Sequence, residues 1–154
     1  MFKAVILTGK NVSINGGTFT FAGPTEVGKY TLKDIKVSGT CKASADPQKP
    51  APICNYTTSL EICCEDKDGK EQCVDGSFQN LNKQGPNTKL EGTVDGEFKV
   101  TLTASAFTTS NPDLDVAITS INPVDPKKGI CGGGQLFMNT ICQIQTIQQL
   151  LCLT

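Results

Sequence analysis

The chain has no histidine, no arginine and no tryptophan. Without histidine, Ser-His-Asp and Cys-His catalysis are excluded, as are zinc sites that use imidazole. Arginine supplies the bidentate fork that reads phosphates and base edges, so its absence argues against specific nucleic-acid recognition. The positive charge is carried by lysine alone, the lysines and acids nearly balance at a net charge of −1, and Lys127-Lys128 is the only adjacent basic pair. No segment approaches the ~20 consecutive apolar residues that span a bilayer. The opening MFKAVILTGK has only Ala4–Leu7 as an apolar run, too short for the core of a secretory signal. No Cys pair has the close spacing of a four-cysteine zinc site. No metal, cofactor, nucleic acid or membrane span is therefore expected.

What the chain does have is eight cysteines in 154 residues. Cysteine at this density in a short chain reads as a disulfide framework in an oxidising compartment. The expectation is a secreted, extracellular protein whose signal peptide is not part of this sequence, or one exported unconventionally. A chain of this length forms one domain, 1–154, that buries roughly 68–70% of its unfolded surface. The staples therefore add resistance to proteases and harsh surroundings on top of an adequate core.

The stretch Leu60–Gly76 decides one pairing. Tyr56, Thr58, Leu60, Ile62 and Cys64 alternate onto one strand face, and Cys63 takes the other, so the adjacent cysteines point apart. A two-residue Asp68-Gly69 turn would set Cys64 against Cys73, Lys67 against Lys70 and Asp66 against Glu71. A three-residue loop, Lys67-Asp68-Gly69 with Gly69 left-handed, sets Asp66 against Lys70, Ile62 against Val74 and Cys63 against Cys73. Like charges opposite one another destabilise, whereas opposite charges and β-branched pairs each contribute about 0.2–1 kcal/mol. The longer loop wins, although Glu65 still faces Glu71. It predicts a Cys63–Cys73 disulfide with Cys64 held for a distant partner. Partners of Cys41, Cys54, Cys64, Cys131, Cys142 and Cys152 stay open. The hairpin tip, Asp66, Lys67, Asp68 and Lys70, is the candidate exposed interaction loop.

Elsewhere the alternation predicts a mainly β fold, an antiparallel sandwich or barrel of hairpins. Phe2–Leu7 and Asn11–Ile14 read as short strands before an Asn15-Gly16 turn that sets Val12 opposite Phe19. Tyr30–Val37 reads as a strand bulged near Asp34, because Leu32 and Ile35 are three apart. Ser44–Pro52, with three prolines, is an extended loop whose ends Cys41 and Cys54 tie down. Ser77–Lys89, rich in Asn, Gln and Gly, reads as a long loop with room for a short strand. A second hairpin, Lys89–Phe107, turns at Val94-Asp95-Gly96 and pairs Glu91 with Lys99 and Leu90 with Val100. Leu114–Ile121 is another strand. Thr140–Gln143 fits a capping box, and the isoleucine spacing that follows predicts a short C-terminal α-helix over 141–152, with a final strand as the rival.

Two further motifs are set aside. Gly23–Tyr30 is close to a phosphate-binding loop, but Pro24 removes an amide and Tyr30 stands where a small hydroxyl is required. Asp66–Gly69 starts like a calcium loop yet lacks the later ligands. Asn11 and Asn55 head glycosylation sequons. Paired carboxylates are the one common catalytic chemistry the composition permits, and no pair stands out.

Size, eight cysteines, β patterning and the lack of a catalytic motif together resemble small cysteine-rich secreted proteins of the fungal effector and elicitor type. That resemblance implies a non-enzymatic interaction protein acting through exposed loops on a protein or glycan at a cell surface. A carbohydrate-binding module comes second, a carboxylate-dependent hydrolase third and a filament-forming subunit last. Without histidine, no side chain of ordinary pKa titrates between pH 5 and 8. Melting temperature measured across that range is expected to be nearly constant; a steep change near pH 6.5 would contradict this.

Overall fold

The alternating segments are strands, and they roll into a nearly closed antiparallel barrel. The computed structural model describes residues 5–11, 17–49, 52–85, 87–105, 113–125, 131, 141–146 and 149–153. Its strands are β1 (Val5–Asn11), β2 (Gly17–Thr20), β3 (Thr25–Val27), β4 (Tyr30–Lys42), β5 (Ile53–Glu65), β6 (Glu71–Gln84), β7 (Asn87–Val94), β8 (Phe98–Ser105), β9 (Asp113–Pro123), β10 (Ile141–Thr146) and β11 (Gln149–Leu153). The ladder runs β6-β5-β4-β2-β1-β9-β8-β7, and β3 pairs with β4 beyond the end of β2. Neighbours in the sheet are thus neighbours in sequence, apart from β2 and β4, which β3 separates, and β1 and β9. The latter pair, with Val5 opposite Ile118 and Lys10 opposite Asp113, joins the start of the described chain to its ninth strand.

The period of two sorts every strand into an inner and an outer face. On β5 the inner positions Cys54, Tyr56, Thr58, Leu60, Ile62 and Cys64 are all buried, as are Phe98, Val100, Leu102 and Ala104 on β8. Tyr30 meets Phe98 edge-to-face across the interior, ring centres 5.2 Å apart. Toward the other end, the Tyr56 hydroxyl donates to the Ser105 carbonyl at 3.5 Å. Aromatic side chains therefore fill the interior. Outward positions on β7 and β8 are Lys89, Glu91, Lys99 and Thr101, the reverse of a membrane barrel's apolar exterior. No helix among the described residues is long and apolar enough to cross a membrane.

The first hairpin pairs Cys63 with Cys73 and Ile62 with Val74, and Glu65 does face Glu71. The bulge in β4 falls between Lys33 and Lys36, with Asp34 left-handed at φ 52°. It restores Ile35 to the inner face beside Leu32, at 3% and 0% exposure.

Four expectations are corrected. Ser77–Lys89 is strand for most of its length, because Phe78 and Asn80 alternate inward on β6. The second hairpin slips by two residues: Val94 faces Phe98, Leu90 faces Leu102 and Glu91 faces Thr101, not Lys99. Asp95 and Gly96 take the left-handed conformations of the turn, which lets both Val94 and Phe98 enter the core. A slip of two keeps every side chain on its face, so the pattern alone did not discriminate. The N-terminal pairing sets Asn11, not Val12, opposite Phe19, within one continuous β1. The C-terminal segment is a two-stranded hairpin, not a helix, with Cys142 opposite Cys152 in its backbone register. β-branched isoleucines favour extended backbone, and that preference outweighs the helical spacing. The Asn15-Gly16 turn, Phe2–Ala4, Ala106-Phe107 and the Thr140 cap lie outside the described residues.

The seam between β6 and β7 is closed by side chains. The Phe78 side chain lies on Gly92 so closely that a Cβ added there would clash with Cγ and Cβ of Phe78. The Asn80 carboxamide oxygen accepts from the Glu91 amide at 3.3 Å, a side chain substituting for a ladder partner. Gly92→Ala is expected to cost about 1–3 kcal/mol by overpacking, read from denaturant unfolding with disulfides intact. A change below about 0.5 kcal/mol, the scale of an ordinary surface substitution, would contradict the contact.

Candidate functional site

Three disulfides organise the candidate surface: Cys41–Cys54, Cys63–Cys73 and Cys64–Cys131. The first ties the two ends of the proline-rich loop, the second staples the first hairpin, and the third holds the inner face of β5 to a segment beyond β9. Glu61, Cys63 and Cys73 bring ligand-type atoms within 4.8 Å of one another, but both sulfurs are spent in the disulfide. The cluster is structural. Lys33 on β4 crosses β5 to pair with Glu71 on β6 at 2.8 Å, and Cys63 between them is fully buried.

The staple ends in a tightly built tip. The Asp66 amide donates to the Lys70 carbonyl at 2.8 Å, and the Gly69 amide donates to the Asp66 carbonyl at 3.0 Å. The Asp66 carboxylate accepts from the amides of Asp68 and Lys70 at 2.9 Å each, and from the Gln72 side chain at 3.1 Å. Gly69 has φ 78° with open space around its α-carbon, the left-handed conformation that glycine adopts without steric cost. The acid that opens the resemblance to a calcium loop is therefore committed to the turn. Lys67, Asp68, Gly69 and Lys70 are exposed. The structure brings together Asp66, Lys67, Asp68 and Lys70 on one pre-formed knuckle.

Elsewhere, Gly23–Tyr30 is a hairpin with Val27 opposite Tyr30 and Gly28 left-handed in its turn, so it presents no phosphate cradle. Asn55 is exposed on β5, and its carboxamide oxygen accepts from the Asn82 amide at 2.8 Å. Asn11 lies on β1; its side chain lies outside the described residues.

Two shallow depressions on the outer faces of β2, β4, β5 and β6 were not foreseen from the sequence. One, of about 330 Å³, is lined by Asp34, Lys36, Ser59, Leu60, Glu61, Asp75, Gly76 and Ser77. The other, of about 310 Å³, is lined by hydroxyls and amides. Their residues are scattered over four strands, so only the sheet register assembles them. The carboxylates of the first depression sit on an open sheet face, with Asp34 and Asp75 exposed. A catalytic acid pair needs one member in an apolar setting.

Every shift among the titrating groups points away from neutrality. The hydrogen bond from the Lys70 amide is the largest influence on the Asp66 carboxyl; burial opposes it next, and the bonds from Gln72 and the Asp68 amide add to it, so the carboxyl lies below its ordinary value. The Glu71 hydrogen bond raises Lys33, and burial raises Tyr30 and Tyr56.

Compared with known proteins, the chain matches no family model, no curated protein and no solved structure.

A depressed carboxyl stabilises the tip above the unfolded pKa, and that contribution disappears as pH falls through the folded pKa. The amide resonances of Asp68 and Lys70 are expected to titrate with a midpoint below the ordinary aspartate value of about 3.9. A midpoint at or above that value would show that the carboxylate does not hold the turn.

Proposed function

We propose that this chain is a secreted, non-enzymatic interaction protein of effector or elicitor type. Its exposed hairpin tip engages a protein or glycan at a cell surface. The observation that carries the reading is the tip itself: four exposed residues, two of them lysines, held by a disulfide three residues before Asp66 and by three hydrogen bonds to one carboxylate. A loop ordered before binding loses less entropy on binding, which is how a small surface reaches useful affinity. The disulfides are compatible with an extracellular setting, where such bonds persist. The solvated acids of the outer face and the absence of histidine weigh against hydrolysis.

The test is binding of fluorescently labelled protein to intact plant and animal cells, against a Lys67→Ser/Asp68→Ser/Lys70→Ser variant. The expected outcome is saturable binding to one cell type, reduced at least about tenfold by the triple substitution, the scale of losing a ~1.4 kcal/mol contact, with an unchanged melting temperature. No saturable binding to any cell, or equal binding by the variant, would overturn the reading.

A further inference from the structure

The uncharged depression on the outer face has a chemistry of its own. Its polar lining is Thr18, Ser38, Thr40, Asn55, Thr57 and Gln79, with Leu81 as an apolar wall. Hydroxyls both donate and accept, and carboxamides offer one acceptor and two donors. Such a lining satisfies a ligand that itself carries alternating donors and acceptors and no charge. It offers no countercharge to a phosphate, a carboxylate or an ammonium group. Two of these groups are already oriented: the Ser38 hydroxyl donates to Thr18 Oγ1 at 3.4 Å, and the bond from the Asn82 amide fixes the Asn55 side chain. Leu81, 57% exposed, stands ready to cover the C–H face of a sugar ring.

The setting narrows the ligand further. Along β4, β5 and β6 the depression leads directly into its acidic neighbour, where Asp34, Glu61 and Asp75 outnumber Lys36. From Asn55 to Glu61 the two together run roughly 20 Å, at about 3.4 Å per residue of strand. A chain lying along this path meets hydrogen-bonding groups first and negative charge at its far end, which repels uronates and sulfated sugars.

We propose that this outer groove is a binding site for an uncharged oligosaccharide lying along the strands of β4, β5 and β6. The described tyrosines and phenylalanines of the core are buried, and none lines either depression. The site works without a stacking platform, through hydrogen bonds and the Leu81 wall, so single-site affinity is weak, near millimolar. The inference goes beyond the binding reading above: it assigns a glycan to a surface separate from the hairpin tip, and the two stand or fall independently.

The experiment is NMR titration of bacterially expressed, disulfide-intact protein with β-1,4-linked tetrasaccharides of glucose, mannose and N-acetylglucosamine, and with an oligogalacturonate. Bacterial expression leaves Asn55 without a glycan. Saturable shifts of the Thr18, Thr40, Thr57 and Gln79 amides by at least one neutral probe are expected. Gln79→Ala and Thr40→Val, both at exposed positions, are each expected to weaken binding by a few-fold, the scale of one hydrogen bond. No shift by any neutral probe at about 10 mM, ten times the expected dissociation constant, overturns the site. So does preference for the oligogalacturonate, or binding indifferent to both substitutions. The tip variant serves as control and is expected to keep sugar binding. If the sugars fail while tip-dependent cell binding persists, only the groove assignment falls.

Discussion

All three disulfides of the described residues have one end on β5: Cys54 to Cys41, Cys63 to Cys73 and Cys64 to Cys131. The first two bonds join β5 to its sheet neighbours β4 and β6, and the third joins it to a segment beyond β9. The short-range bridges close separations of 13 and 10 residues, the third a separation of 67. On a chain-entropy account, bridges of these sizes stabilise by about 3 and about 4 kcal/mol respectively. The long bridge also ties Cys131, beyond β9, to the inner face of β5. Alternation makes this possible: because Cys63 and Cys64 are consecutive, one faces out to the hairpin partner and the other faces in to the core.

The remaining weak point of the barrel lies where the ladder stops, between β6 and β7. There the closure depends on shape, with Phe78 lying on a glycine and one carboxamide standing in for a backbone acceptor. β1 solves the corresponding problem on the other side with a regular ladder to β9. Within the barrel's described strands, these two closures cover the edges of β1, β9, β6 and β7, the kind of edge that otherwise recruits further chains.

With the interior filled by aromatic and aliphatic side chains, recognition is left to the outside. Two kinds of outer surface result. The hairpin tip is convex, charged and pre-ordered; the groove over β4, β5 and β6 is shallow, neutral at one end and acidic at the other. The first suits a complementary protein surface and the second a flat, hydroxylated chain. A surface carrying both is compatible with engagement of a glycosylated partner.

The sequence by itself determined the fold class, the direction of each side chain along β5 and β8, the bulge at Asp34 and the Cys63–Cys73 register. Each of these follows from forces acting over a few residues: alternation, turn chemistry and cross-strand charge. The hairpin tip was legible for the same reason. Where local terms balanced, prediction failed. The Val94–Phe98 register was ambiguous because a two-residue slip leaves both faces unchanged, and the C-terminal segment carried helical spacing on strand-forming residues. The barrel's closure, the bridge from Cys64 to Cys131 and the outer groove were decided only in tertiary structure. They join residues tens of positions apart, such as Val5 with Ile118 or Thr18 with Gln79. No local propensity encodes such a meeting; the sheet's order and register create it.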